Sequence, residues 1–202
     1  MAGPRSIREA YTIHGVTEYY RGEGESYRNP HEPEVRALIA EGVGRWQLPL
    51  ASVLDLACGS GEATLALREM GAGRVDGVDP YTGAAYQERT GQRAEAFRFE
   101  EIAQGRLDGR WYDLIVCSFA LHLIRPSWLP ALLYRLGGIS SRLLVLTPHQ
   151  RPWIESSWGW VLREEIRPRR IRARLYDRHT SEDQTTGEEA DGASEGVLTR
   201  AV

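Results

Sequence analysis

A doubly wound α/β fold, with a mostly parallel sheet and helices on both faces, is what this sequence predicts, on three observations. Asp55-Leu56-Ala57-Cys58-Gly59-Ser60-Gly61-Glu62 places a Gly-x-Gly turn directly after the apolar run Val53-Leu54. A second short apolar run, Arg74-Val75-Asp76-Gly77-Val78, ends in Asp79-Pro80, an acid about 20 residues beyond the glycine turn. From Val53 to Thr147, strand-like and helix-like segments alternate, which argues for a parallel sheet covered on both sides.

Each element has its own signal. Asn29-Pro30-His31-Glu32-Pro33-Glu34 reads as a helix start, with prolines in the first turn and acids that suit the helix dipole. Val35, Leu38, Ile39 and Val43 give that helix its apolar face, and Gly42 or Gly44 its expected stop. Strands are expected near 53–57, 75–79, 96–100, 112–118 and 142–147, and helices near 62–70, 82–91 and 127–137. In Arg170-Ile171-Arg172-Ala173-Arg174-Leu175 the alternation is strict, so a strand there puts Arg170, Arg172 and Arg174 on one face. A helix over 154–165 competes with a strand from Trp158 to Ile166. From Thr180 the chain carries almost no large apolar residue and is expected to be disordered.

A glycine turn between strand and helix lets backbone approach a ligand without an intervening Cβ. A dinucleotide site would continue to a third glycine, where this chain has Thr64, so a phosphate at the helix start is a weaker reading. An acid at the end of the next strand suits the two hydroxyls of a ribose; Asp79 equally suits a turn before Pro80.

Asp55-x-x-Cys58-Gly59-x-Gly61, then Gly77-Val78-Asp79, then Tyr112-Asp113-Leu114-Ile115-Val116-Cys117-Ser118 with Leu121-His122, together resemble the class I S-adenosylmethionine (SAM) dependent methyltransferases over roughly residues 50–150. The resemblance implies a Rossmann-like sheet of seven strands with an antiparallel last strand, Trp158 to Ile166 and Arg170 to Asp177 fitting the sixth and seventh. It implies SAM as cofactor, with Ala57, Cys58, Gly59 and Gly61 along its methionine and ribose part, Asp79 and Pro80 at the ribose, and Asp55 orienting the loop. Glu100 and Glu101 are candidates for the adenine amino group, Glu101 preferred with Ile102 beside it, and Ser118 stands on the same edge. A helical lid or cap over 1–45 is implied to fold across the cofactor with Tyr19, Tyr20, Tyr27, Arg28 and His31, ahead of a SAM-binding domain over 46–178 and an acidic tail over 179–202.

Methyl transfer needs alignment and exclusion of water, and a base only where the acceptor must lose a proton. His149 and His122, near strand ends, are the candidate catalytic bases; His122 has a structural reading as well. No Asn/Asp-Pro-Pro-aromatic string and no Pro-Cys nucleophile is present, and no cluster suggests a metal.

At 202 residues and 42% hydrophobic, the chain suits one domain with a tail. All 25 basic residues are arginine, which excludes lysine chemistry such as a Schiff base. Net charge is −3, with the acidic tail leaving a nearly neutral body. No leader pattern or membrane-length apolar run is seen, so a cytoplasmic monomer or homodimer without membrane contact is expected. The leading expectation is transfer to a small-molecule acceptor. The alternatives are an RNA methyltransferase using the seven arginines from Arg163 to Arg178, and a non-catalytic SAM-binding partner protein with an exposed Trp153/Trp158/Trp160 patch.

Overall fold

A computed structural model describes residues 28–168 and 170–179. The expected lid residues Tyr19, Tyr20 and Tyr27, and the tail from Thr180, lie outside them. Among the described residues helix α1 (Glu32–Trp46) comes first, followed by β1 (Ser52–Leu56), α2 (Glu62–Glu69), β2 (Arg74–Val78), α3 (Gly83–Thr90), α4 (Phe99–Ala103), β3 (Leu114–Ser118), α5 (Leu129–Gly137), β4 (Arg142–Thr147), β5 (Trp160–Ile166) and β6 (Arg172–Arg178). Among the described residues the sheet has six strands in the order β2-β1-β3-β4-β6-β5. β1 to β4 run parallel, and β6 runs antiparallel between β4 and β5.

Strand alternation sorts the core into two layers. Leu54, Ile115, Cys117 and Leu143 pack with α5 on one face, while Val53, Leu114, Val116 and Leu144 pack with α1 and α2 on the other. This is the doubly wound arrangement expected, and the βα segments fall close to their expected ranges. The α1 helix runs through Gly42 and Gly44 to Trp46 and stops at Gln47, which takes the left-handed conformation. Gly42 serves packing within the helix, since a Cβ there would come within 2.9 Å of the Trp46 ring.

The expected sheet of seven strands has six among the described residues, because one expected strand is missing. The segment 96–100 is not a strand: Glu95 makes a single bridge to Val78, and α4 begins at Phe99. Glu101 turns the chain there, its Oε2 accepting the Arg98 N–H at 2.9 Å with acids in the first turn. No helix forms over 154–165; a short 3₁₀ turn at Ser156–Trp158 leads into β5. The tryptophans form no continuous exposed patch: Trp160 is fully buried with its Nε1–H on the Leu133 carbonyl at 2.9 Å and Trp158 is half-buried, so that only Trp153, with the Arg174 guanidinium against its ring, is exposed.

No helix among the described residues is long and apolar enough to cross a membrane. One glycine is sterically obligatory in β2. A Cβ on Gly77 would stand 2.5 Å from Cζ and 2.6 Å from Oη of the buried Tyr86. Gly77→Ala should therefore lower stability by about 1–3 kcal/mol through overpacking, read as a depressed midpoint in thermal or urea denaturation.

Candidate active site

The carboxyl ends of β1, β2 and β3 open on one edge, and a cleft of about 340 Å³ lies there. Its volume falls in the range of small-molecule sites. The floor is Ala57, Cys58 and Gly59 after β1, Asp79 and Pro80 after β2, and Ser118 at the end of β3. The loop geometry follows from the glycine turn. Ala57, Gly59 and Gly61 all have positive φ (57°, 55° and 90°), so the backbone bends sharply enough to leave the strand and enter α2.

Asp79 fastens this loop to the next one. Its Oδ1 accepts the Tyr81 and Thr82 N–H groups at 2.8 and 3.0 Å, the turn anticipated before Pro80. Its Oδ2 accepts the Gly59 N–H at 3.3 Å, and the Thr82 hydroxyl donates to the Gly59 carbonyl at 2.7 Å. Asp79 lines the cleft while 9% exposed, and burial raises its carboxyl above the ordinary value.

Beneath the loop, Asp55 is 1% exposed and does not reach the cleft wall. Its Oδ2 accepts the Thr64 hydroxyl at 2.6 Å, and Thr64 lies 3.1 Å from the Tyr86 hydroxyl. Thr64, where a dinucleotide fingerprint has glycine, is therefore a hydrogen-bonding post. Gly61 is also not on the cleft wall: a Cβ there would stand 2.6 Å from Thr90 Cγ2, so it admits α3.

Phe97, Phe99, Glu100 and Ile102 also line the cleft. Glu101, expected at the adenine, instead caps α4. Asn29, Glu62 and Phe119 line it as well. Glu62 is buried and receives the Ser60 hydroxyl, the Asn29 N–H at 3.2 Å and Arg89 at 3.1 Å. Arg28 makes an ion pair with Glu88 at 2.9 Å and is not on the cleft wall.

Phe119 was not foreseen. It lies directly after β3 with φ of 57°, and its ring stacks on His31 at 5.3 Å. The one sequence signal for it is an aromatic next to Ser118 at a strand end. His122 and His149 do come together, with ring centroids 4.5 Å apart, but neither lines the cleft. Leu123, in the same short turn as His122, does. Tyr20 lies outside the described residues.

The site fits SAM in its residues. Two buried acceptors under or beside the floor, Asp55 Oδ1 and Ser118 Oγ, have no hydrogen-bond partner within the protein. The positive-φ loop brings backbone to the cleft, and Phe97, Phe99 and Ile102 offer an apolar slot for a flat base.

The likenesses to known proteins agree. A family described as a methyltransferase domain matches residues 53–138. An uncharacterized protein of Schizosaccharomyces pombe is 32% identical over 200 residues, covering 78% of this chain and 80% of that protein. Magnesium protoporphyrin IX methyltransferase from Synechocystis PCC 6803, solved with bound SAM, has a TM-score of 0.55 at 20% identity over 89% of this chain and 100% of that one. The mitomycin 7-O-methyltransferase has a TM-score of 0.58 at 16% identity, over 88% of this chain and 62% of that one. At such identities the two solved structures share the fold. The chain belongs to the class I SAM-dependent methyltransferases, enzymes whose methyl donor is SAM.

Two buried groups act on stability in opposite directions with pH. Burial raises the Asp55 carboxyl from 3.8 to about 7, against the pull of the Thr64 hydrogen bond. The folded chain thus keeps a proton that the unfolded chain releases, and the stability is lost progressively as pH rises from about 4 until the carboxyl ionises at about 7. Burial, with His149 adding, lowers His122 from 6.5 to about 4, so its contribution is lost as pH falls through that interval. Urea denaturation from about pH 4 to about pH 7 should show stability rising more steeply with pH in Asp55→Asn than in the native chain, and less steeply in His122→Gln.

Proposed function

We propose that the chain transfers the methyl group of SAM to a small-molecule acceptor, which enters beside Phe119 beneath an N-terminal segment leading into α1. The observation that carries this reading is the Asp79 carboxylate on the cleft, locked to Gly59 on the neighbouring loop. That arrangement presents a fixed acceptor to a ribose and a bare backbone to the remainder of the donor. SAM supplies an electrophilic methyl on a sulfonium, so the protein's work is to align, to exclude water and, for some acceptors, to take a proton.

In this reading Asn29, bonded through its N–H to Glu62, starts the segment that closes over the methionine end. Phe119, with His31 stacked behind it, forms the wall there, and the apolar slot at Phe97, Phe99 and Ile102 takes the adenine, with Glu100 in place of Glu101 at its amino group. His149, exposed and backed by the neutral His122, is the base for acceptors that must be deprotonated. The buried Asp55 supports the loop from below, by analogy with a positioning group.

Transfer to RNA along the arginine-rich strand is the weaker reading. Arg174 is 1% exposed and Arg172 9%, and both are held by Glu165, at 2.7 and 3.3 Å. Buried guanidinium groups already bonded to a carboxylate do not track a phosphate backbone. Two of the similar structures, by their names, act on a porphyrin and on mitomycin, which are small molecules.

Calorimetric titration with SAM and with its demethylated product, S-adenosylhomocysteine, tests the site. Asp79→Asn keeps an oxygen for the Tyr81 and Thr82 N–H groups but turns a donor toward Gly59 and the ribose. Affinity for both ligands should fall more than about tenfold. Unchanged affinity would remove Asp79 from the cofactor site. His149→Gln should leave SAM affinity intact and lower turnover of labelled methyl into a metabolite extract; an unaltered rate would mean no base role.

A further inference from the structure

The turn between β5 and β6 stands on the same edge of the sheet as the cleft. β5 runs parallel to β4, because both pair antiparallel with β6, and Arg172 at the start of β6 is level with Thr147 at the end of β4. Arg167 and Arg170 on this turn, and Arg151 in the loop after β4, are exposed. None of the ion pairs among the described residues uses them, and the carboxylates of their own hairpin are engaged elsewhere. Glu165 holds Arg172 and Arg174, Glu164 lies 3.5 Å from Arg45 and accepts the Trp46 Nε1–H, and Asp177 pairs with Arg163.

The buried arginines make the frame for the exposed ones. Arg174 donates from Nε to Glu165 at 2.7 Å and from Nη1 to the Gln150 carbonyl at 2.9 Å, and its guanidinium lies 5.1 Å from the centroid of the Trp153 ring. It therefore ties the loop carrying Arg151 to the hairpin carrying Arg167 and Arg170. From the cleft, Leu123 leads to His122, His122 to His149, and His149 to Gln150 and Arg151. The three arginines thus rim the acceptor side of the edge, past the proposed base.

We propose that Arg151, Arg167 and Arg170 hold an anionic group of the acceptor, a carboxylate or a phosphate, so that the substrate class is a small organic acid or phosphate ester. This rests on the methyl-transfer reading and narrows it. A guanidinium offers a planar pair of donors that matches either anion, and it stays charged at any working pH. Guanidinium groups without carboxylate partners are free to take an anion, and an anion gains from each one it reaches.

The test titrates pyrophosphate and citrate into the full chain saturated with S-adenosylhomocysteine, at low salt, and repeats the titration on the chain alone. At least one anion should bind, more weakly as sodium chloride is added. Its affinity should fall about tenfold or more in Arg167→Glu/Arg170→Glu and in the milder Arg167→Gln/Arg170→Gln, with S-adenosylhomocysteine affinity and thermal midpoint unchanged. Arg93→Glu, an exposed arginine beside β2 on the far edge of the sheet, should leave anion binding as it is. Binding of neither anion, survival of binding in both double variants, or equal loss in the Arg93 variant would overturn the proposal. So would binding of a short single-stranded RNA lost in the same double variants with both small anions silent, which would give the arginines to a nucleic acid backbone. Failure of S-adenosylhomocysteine to bind would instead count against the methyl-transfer reading, and the titration on the chain alone still reads the arginines.

Discussion

One buried hydrogen-bonded chain, Asp55 to Thr64 to Tyr86, sets the geometry on which the cleft depends. Asp55 is on β1, Thr64 on α2 and Tyr86 on α3, so three elements meet at two hydroxyls and a carboxyl. Two side chains of α3 stand so close to the glycines that both positions exclude a side chain, Tyr86 at Gly77 and Thr90 at Gly61. The glycine turn is therefore shaped as much by the helix behind it as by any ligand in front. Asp55 in this setting resists ionisation, because a carboxylate buried beside Glu62 and Asp79 would have little to compensate it.

A second, charged layer ties α1 to the same loop. Arg89 bonds Glu32 on α1 at 2.6 Å, Glu62 at the start of α2 at 3.1 Å and the Ser60 carbonyl at 3.3 Å. Arg36 bonds Glu32 from the same helix at 3.1 Å and reaches Glu69 as well. A planar guanidinium joins several acceptors at once where an ammonium acts as a point charge. The half-buried setting makes this layer worth more than an exposed ion pair, whose contribution is about 0–1 kcal/mol. Its position matters for function, since Asn29 and His31 enter the cleft region directly before α1.

What was legible in the sequence was what local pattern and the glycine turn dictate: the βα alternation, the acid after β2, the helix start at Pro33 and the antiparallel pair at the end of the sheet. What was not legible depends on tertiary contact. Phe97 and Phe99 alternate with polar neighbours as a strand would, yet Glu101 caps the chain into a helix from Arg98, which is not among the usual capping residues. Arg172 and Arg174 alternate as a solvated face would, yet Glu165 and Trp153 cover them. Period two shows which residues share a face and not what lies over that face. Nothing local in the sequence separates Glu100 from Glu101, and cap geometry does. Phe119 had no periodic signal at all, because its role comes from a single backbone angle.

That angle points to where strain is concentrated. Among the described residues, the non-glycine residues with positive φ are Gln47, Ala57 and Phe119. Gln47 ends a helix, a common place for the left-handed conformation. Ala57 and Phe119 are different, since they follow the neighbouring strands β1 and β3 and both line the cleft. Each costs about 1–2 kcal/mol relative to an extended or right-handed residue, and persists only where its surroundings hold it. The Phe119 N–H on the Leu146 carbonyl at 2.8 Å and the stack on His31 hold one. The Asp79 and Thr82 bonds to Gly59, two residues on, hold the other. The sheet thus supplies rigidity to its carboxyl edge, and the edge uses it to keep two side chains and a loop in conformations they would leave in isolation. A cleft built this way is formed before any ligand arrives, which is the condition for aligning two reactants without a further ordering cost.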